Sequence, residues 1–372
     1  PAPAGATRWT AIPVPIAAGY LADSGDAASS GRLWRRSDGK ITGAPGDLII
    51  RGIRADGTAI AFATSQVYIH DEATVDPYHA TPLFFGTYAR IAPGGAVTPF
   101  AVDPHPAPTS TSGVYGWYDG SAQWHEPIPD PIDWRQSVYG WPQSWGPTRV
   151  SANGHVLWGV QRDQYDEWGT TAAGGGVPVV ALREAADETI RTYGIDDRGR
   201  IAYTTYNATS GAFTSGLTGG PTFEGVCMRS LSSDGYLLVT LPEGCSTSRG
   251  LRVYRPDGTV LWERSVVGLP DVSGPYFTPK VLPGGLVAGA ATDRTYEVFL
   301  VSGGRRVDVA AEFLPALPSG TRLTQVLDGN ARRELLVRTQ TAGVEGTYIL
   351  RPTQRLTGAV VDAAGAAVAG VV

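Results

Sequence analysis

Residues 231–239 read LSSDGYLLV and residues 251–262 read LRVYRPDGTVLW. In each, a short apolar run meets a turn of Asp and Gly and is answered by a second apolar or aromatic run. Asp-Gly between two such runs is a strong short-range hairpin signal, because both residues tolerate the positive φ that a tight two-strand turn demands. The pattern recurs at Ile53–Phe62 (IRADGTAIAF), Val150–Trp158 (VSANGHVLW), Ile195–Tyr203 (IDDRGRIAY) and Val281–Ala288 (VLPGGLVA). Weaker copies lie at Trp117–Trp124, around Asp119 and Gly120, and at Val326–Val337, around Asp328 and Gly329.

The turn centres at 56, 119, 153, 198, 234, 284 and 328 are on average about 45 residues apart. Second hairpins fall between them at Pro93–Gly95, Pro256–Gly258 and Ser302–Gly304. Four short strands per repeat of that length is the period of a propeller blade. The reading is an all-β chain: a β-propeller of seven four-stranded blades over residues 45–352, with an N-terminal segment, 1–44, and a C-terminal segment, 353–372. The hairpin Arg32–Ile41 is expected to supply outer strands to the last blade, closing the ring so that no sheet edge is left free.

Composition agrees with this class. Forty-eight glycines and 28 prolines make up about a fifth of the 372 residues, against 42% hydrophobic residues. Gly and Pro cost roughly 1 and 3 kcal/mol relative to Ala inside a helix, so a chain punctuated this densely is not mainly helical. The hydrophobic content is nonetheless enough for a packed core.

Leu251–Trp262 resembles the outer-strand hairpin of quinoprotein-like propeller repeats. The inner hairpins resemble the short repeats of bacterial and phage extracellular propellers, in which an apolar pair precedes Asn/Asp-x-Gly. No repeat carries a full quinone-binding signature, so no cofactor is expected. Leu356–Val372 (LTGAVVDAAGAAVAGVV) resembles the opening strand and turn of a carboxypeptidase-regulatory-like β-sandwich. A tail of small apolar residues is the alternative.

Charge excludes some partners. The net charge is −5 and the sequence shows no basic stripe, so a nucleic-acid partner is not expected. Only Lys40 and Lys280 are lysines; the other 28 basic residues are arginines scattered along the chain. No apolar run is long enough for a membrane-spanning helix. Pro1–Trp9 has neither a basic nor an apolar leader pattern, which leaves open a removed leader or a trimmed initiator Met. Cys227 and Cys245 flank the 231–239 hairpin, which sets Cys227 opposite Thr240; a disulfide and two buried thiols are the two readings.

Signals for chemistry are thin. Histidines 70, 79, 105 and 125 cluster with Asp71, Glu72, Asp76, Asp103 and Glu126, but at no metal-ligand spacing, so no metal is expected. Glu126, Asp130 and Asp133 lie in one Pro-rich stretch, WHEPIPDPIDW, and would be the acid and base of a glycosidase if set about 5–9 Å apart. Seven of the ten tryptophans fall between Trp117 and Trp168. Trp158 sits in a regular strand and reads as core. Trp124, Trp134, Tyr139, Trp141 and Trp145 occupy an irregular segment, where exposed rings would stack on sugars or anchor a protein. Those rings packing on one another is the competing reading.

The preferred reading is therefore a non-catalytic binding or structural propeller of a surface assembly, such as a phage tail or a secreted adhesin. Its partners would be neighbouring proteins or cell-surface glycan, with a homo-oligomer as a further form, in an extracellular or virion setting. A carbohydrate-active enzyme on the same scaffold is the alternative.

Overall fold

The structure is a computed structural model. It describes residues 9–353 apart from 47, 70–80, 100–108, 112–113, 119–123, 126–145, 162–165, 173–178, 186, 243–247, 266–278 and 291–297. Seven four-stranded antiparallel sheets form a β-propeller. Blades 1 to 7 span residues 20–43, 49–99, 146–183, 188–224, 227–265, 280–307 and 321–352, and strand order within blades 1 to 6 follows the chain. The ring closes on Trp9–Val14, which pairs antiparallel with Val344–Pro352 as the fourth strand of blade 7. The one α-helix among the described residues is Val309–Phe313, capped by Asp308, whose carboxylate accepts the Ala311 N–H at 3.0 Å.

Apolar doublets such as Leu237-Leu238 have a direct cause. Successive side chains of a strand point to opposite faces, and a blade is covered on both. Leu237 and Val239 join a cluster with Ala202 and Leu217 of blade 4, whereas Leu238 joins Val281, Val287 and Phe299 of blade 6. Val156 and Trp158 likewise pack on Ile60 and Phe62 of blade 2, and Leu157 on Ile190 and Ile201 of blade 4. Each of the seven hydrophobic clusters straddles one boundary between neighbouring blades. The core is thus a ring of seven interfaces, and Trp158 is fully enclosed within one of them, at 0% exposure.

The blade count matches the sequence reading, but three assignments change. Asp119 does not mark a blade: Val114–Tyr118 and Trp124–His125 pair with each other inside a separate three-stranded sheet that includes Thr109–Thr111. Arg32–Ile41 contributes no strand to the last blade. It is the outer hairpin of blade 1, whose inner strands, Tyr20–Leu21 and Ala27–Ala28, are too short to show a periodic pattern. The inner turn of blade 7 lies at Asn330–Glu334, just beyond Asp328 and Gly329.

That last shift follows from one residue. In blades 1 to 5 the inner turn closes with a bond from a glycine N–H, at Gly25, Gly57, Gly154, Gly199 and Gly235, each with φ between 77° and 91°. Blade 7 makes the same bond from the Arg333 N–H to the Asn330 carbonyl, with Arg333 at φ 62°. Without its glycine, the turn loses its mark in the sequence.

Candidate site in the central channel

The first strand of each blade lines a central cavity of about 810 Å³. That volume lies within the range of small-molecule sites. The register between first and second strands breaks at the same place in five blades. The extra residues are Arg51, Thr148, Tyr193, Arg229 and Leu327, each six positions before the residue that closes the inner turn. A bulge leaves one residue outside the ladder and re-aims its side chain. Arg51, Tyr193 and Arg229 line the cavity from these positions, and Lys280 of blade 6 lines it without a bulge.

The sign of the lining is opposite to that of the chain. Arg51, Arg149, Arg229, Lys280, Arg322 and Arg338 face three acids, Asp23, Asp328 and Glu345. Confining like charges between low-dielectric walls concentrates positive potential along the axis. Burial holds Lys280 below the usual lysine range; Asp328 pulls it back up and Arg149 presses it further down. Burial also lowers the pKa of Arg229, against a smaller opposing effect of Tyr193. Asp328 is pushed up by burial, opposed first by Lys280 and then by the Leu21 N–H that it accepts at 2.9 Å. Burial raises Tyr20, and Arg51 and Arg149 counter it. Tyr20, Arg51, Arg149, Lys280 and Asp328, drawn from five blades, thus act on one another electrostatically.

A belt of hydrogen bonds between inner turns frames one mouth of the channel. The Ala331 N–H donates to Asp23 Oδ1 at 2.8 Å, and the Ser24 N–H to the Ala55 carbonyl at 2.8 Å. The Ala55 N–H donates to the Ala152 carbonyl at 2.7 Å and the Asn153 N–H to Asp197 Oδ1 at 2.7 Å. The Asp197 N–H donates to the Ser233 carbonyl at 2.7 Å and the Gly284 N–H to Asp234 Oδ2 at 2.7 Å. Arg322, at the other end of the blade 7 strand that carries Asp328, lines the cavity with Arg338, Gln340 and Glu345 of the neighbouring strands.

None of the site residues read from the sequence lines this cavity among the described residues. Trp134, Tyr139, Trp141 and Trp145, and the carboxylates Glu126, Asp130 and Asp133, lie outside the described residues, as does the 354–372 segment. Trp124 and His125 are described only as backbone of a short strand. Histidines 70, 79 and 105 also fall outside. His155 packs beside Gly199 of the next blade, where a Cβ would stand 3.1 Å from its Nδ1. Cys227 pairs with Thr240 in the ladder and is disulfide-bonded; Cys245, the only other cysteine of the chain, lies outside the described residues.

The channel residues carried a signal in the sequence. Arg51, Tyr193 and Arg229 interrupt apolar strands at the same offset from Gly57, Gly199 and Gly235. Aligning the hairpins on their turn glycines brings them into one column.

No protein-family model matches this chain, and no curated protein matches it. Among solved structures it is similar to YCF48 from Cyanidioschyzon merolae, at 11% identity and a TM-score of 0.41, over 93% of this chain and 100% of that one. It is also similar to an oligogalacturonate lyase in complex with manganese, at 11% identity and a TM-score of 0.32, over 91% of this chain and 77% of the other.

Proposed function

We propose that this protein is a non-catalytic binding propeller that takes an anionic ligand into its central channel. The observation that carries this reading is the reversal of sign: six basic side chains against three acidic ones line the cavity of a chain whose net charge is −5. Burial already costs Lys280 and Arg229 part of their affinity for the proton. A bound anion would offset that cost, and charge-assisted hydrogen bonds to it contribute about 1.5–3 kcal/mol each.

A surface role in an extracellular or virion setting belongs to the same proposal. The disulfide at Cys227 supports an oxidising compartment. The Trp-rich segment between blades 2 and 3 would add contacts to glycan or to a neighbouring protein.

Calorimetric titration with pyrophosphate at low ionic strength tests the channel. Saturable binding is expected that weakens as salt rises and falls about ten-fold or more in Arg149→Ala and in Arg229→Ala. Absence of binding, or equal binding by both variants and the wild type, would overturn the reading.

A further inference from the structure

Lys280 stands apart from the other cations of the channel. Arginine fills 28 of the 30 basic positions in this chain, yet a lysine occupies the blade 6 position facing the axis. An arginine stays charged at any ordinary pH, whereas a lysine can give up its proton and become a nucleophile. The two known ways of freeing a lysine amine are withdrawal from water and proximity to another cation. Both act here: Lys280 is half-buried in the cavity wall, and Arg149, which lines the same cavity, bears on it. The side chain forms no direct ion pair among the described residues, so its amine is not committed to a carboxylate.

The acids and hydroxyls that face it complete the site. Asp328 of blade 7 is the charge it feels most, and Tyr20 of blade 1 is coupled to that same carboxyl. Arg149, Arg229 and Arg51 surround this group with positive charge.

We infer that Lys280 is a reactive amine that captures an anionic carbonyl compound, such as an α-oxo acid, from the channel as an imine. The inference rests on the anion-binding reading of the channel. The Nζ lone pair attacks the carbonyl carbon and forms a C–N bond, giving a carbinolamine. The former carbonyl oxygen then leaves as water with the two hydrogens that Nζ gives up, and a C=N bond remains. Asp328 and Tyr20 line the same cavity and would pass those protons from nitrogen to oxygen, while the arginines would hold the carboxylate of the ligand. No oxidant or reductant takes part.

The other lysine supplies an internal control, because Lys40 is exposed in the outer hairpin of blade 1. The full chain is incubated near neutral pH with glyoxylate and cyanoborohydride, whose hydride reduces any imine to a stable secondary amine. Peptide mapping by mass spectrometry then reads each lysine. Carboxymethylation of Lys280 is expected to outrun that of Lys40 by about ten-fold, since burial lowers its pKa and frees more of its amine, and pyrophosphate should suppress it. Labelling of Lys40 at an equal or greater rate overturns the inference. Propanal and pyrophosphate titration separate it from the reading beneath it. Pyrophosphate binding without selective labelling removes the reactive amine and leaves the anion channel. Equal selectivity for Lys280 by propanal, with no pyrophosphate binding, removes the anionic ligand and the channel reading together.

Discussion

Arg36 of blade 1 places its guanidinium 2.8 Å from Oε1 of Glu334 in blade 7, joining the two ends of the ring across 298 residues of chain. Glu334 is only 2% exposed in its side chain, and its second oxygen accepts from Asn330 Nδ2 at 2.9 Å. The same amide donates to the Ala22 carbonyl at 2.9 Å. The closure is therefore polar at the turn and apolar below it, where Val14 and Leu336 pack on Leu21 and Trp34.

Removing Arg36 leaves the buried Glu334 carboxylate only the more distant and exposed Arg351, whose Nε stands 3.8 Å from the same oxygen. Arg36→Met is expected to cost about 3 kcal/mol in denaturant unfolding. The double variant Arg36→Met, Glu334→Leu should lose less than that single one, because no uncompensated carboxylate is left. A double variant less stable than Arg36→Met would show that the pair acts chiefly through attraction.

Arg333 holds the left-handed conformation that glycine supplies in the other turns, a conformation that costs a residue with a Cβ about 1 kcal/mol. Arg333→Gly should raise stability by up to about that amount. Gly57→Ala should lower it by at least about 2 kcal/mol, since φ is 86° and the new Cβ would stand 2.2 Å from Asp26 Oδ2. Urea unfolding of the two variants measures both.

Asp328 gives the channel a pH signature. Its pKa is raised in the folded protein by burial, so the folded chain holds that proton more tightly than the unfolded one. Its contribution to stability is present at acid pH and is lost as pH climbs through the window above the ordinary carboxylate value. Asp328→Asn, which keeps an acceptor for the Leu21 N–H, should lack that loss and gain on the wild type across the window. Lys280 works in the opposite sense near the alkaline end. Its folded pKa lies below the unfolded one, so stability rises as pH approaches the normal lysine value. Unfolding free energies of wild type and Asp328→Asn across the pH range give both slopes.

The disulfide at Cys227 anchors the first strand of blade 5. A bond closing a loop of this size contributes about 3 kcal/mol. Reductant, or Cys227→Ser, should lower the unfolding free energy by about that much. An unchanged melting curve in reductant would mean that the bond restrains the folded and unfolded chains alike.

How much of this was legible beforehand depended on where the local signals sit. Turn glycines at 57, 154, 199, 235 and 285 marked five inner hairpins, because a positive φ at a crowded position leaves few choices of residue. Blade 1 leaves no periodic pattern because its inner strands are only two residues long, and the blade 7 turn carries no mark because Arg333 stands where the other turns have glycine. Asp119 misled in the other direction: its flanks do pair, but in a sheet apart from the blades. The channel was harder still. A first strand with a bulge breaks the alternation from which facing is read, so the sequence pattern of a single strand does not turn Arg51 or Arg229 toward the axis.

Those bulges divide the labour of the chain. Residues on either side of each one keep their partners on the second strand, and so keep their places in the interfaces between blades. Positions 51, 193, 229 and 327 belong to no ladder pair and line the cavity, so changing them rewrites the wall of the channel while the frame stands. Two chains with the same turns and second strands, differing only in that column, would share this architecture and select different guests.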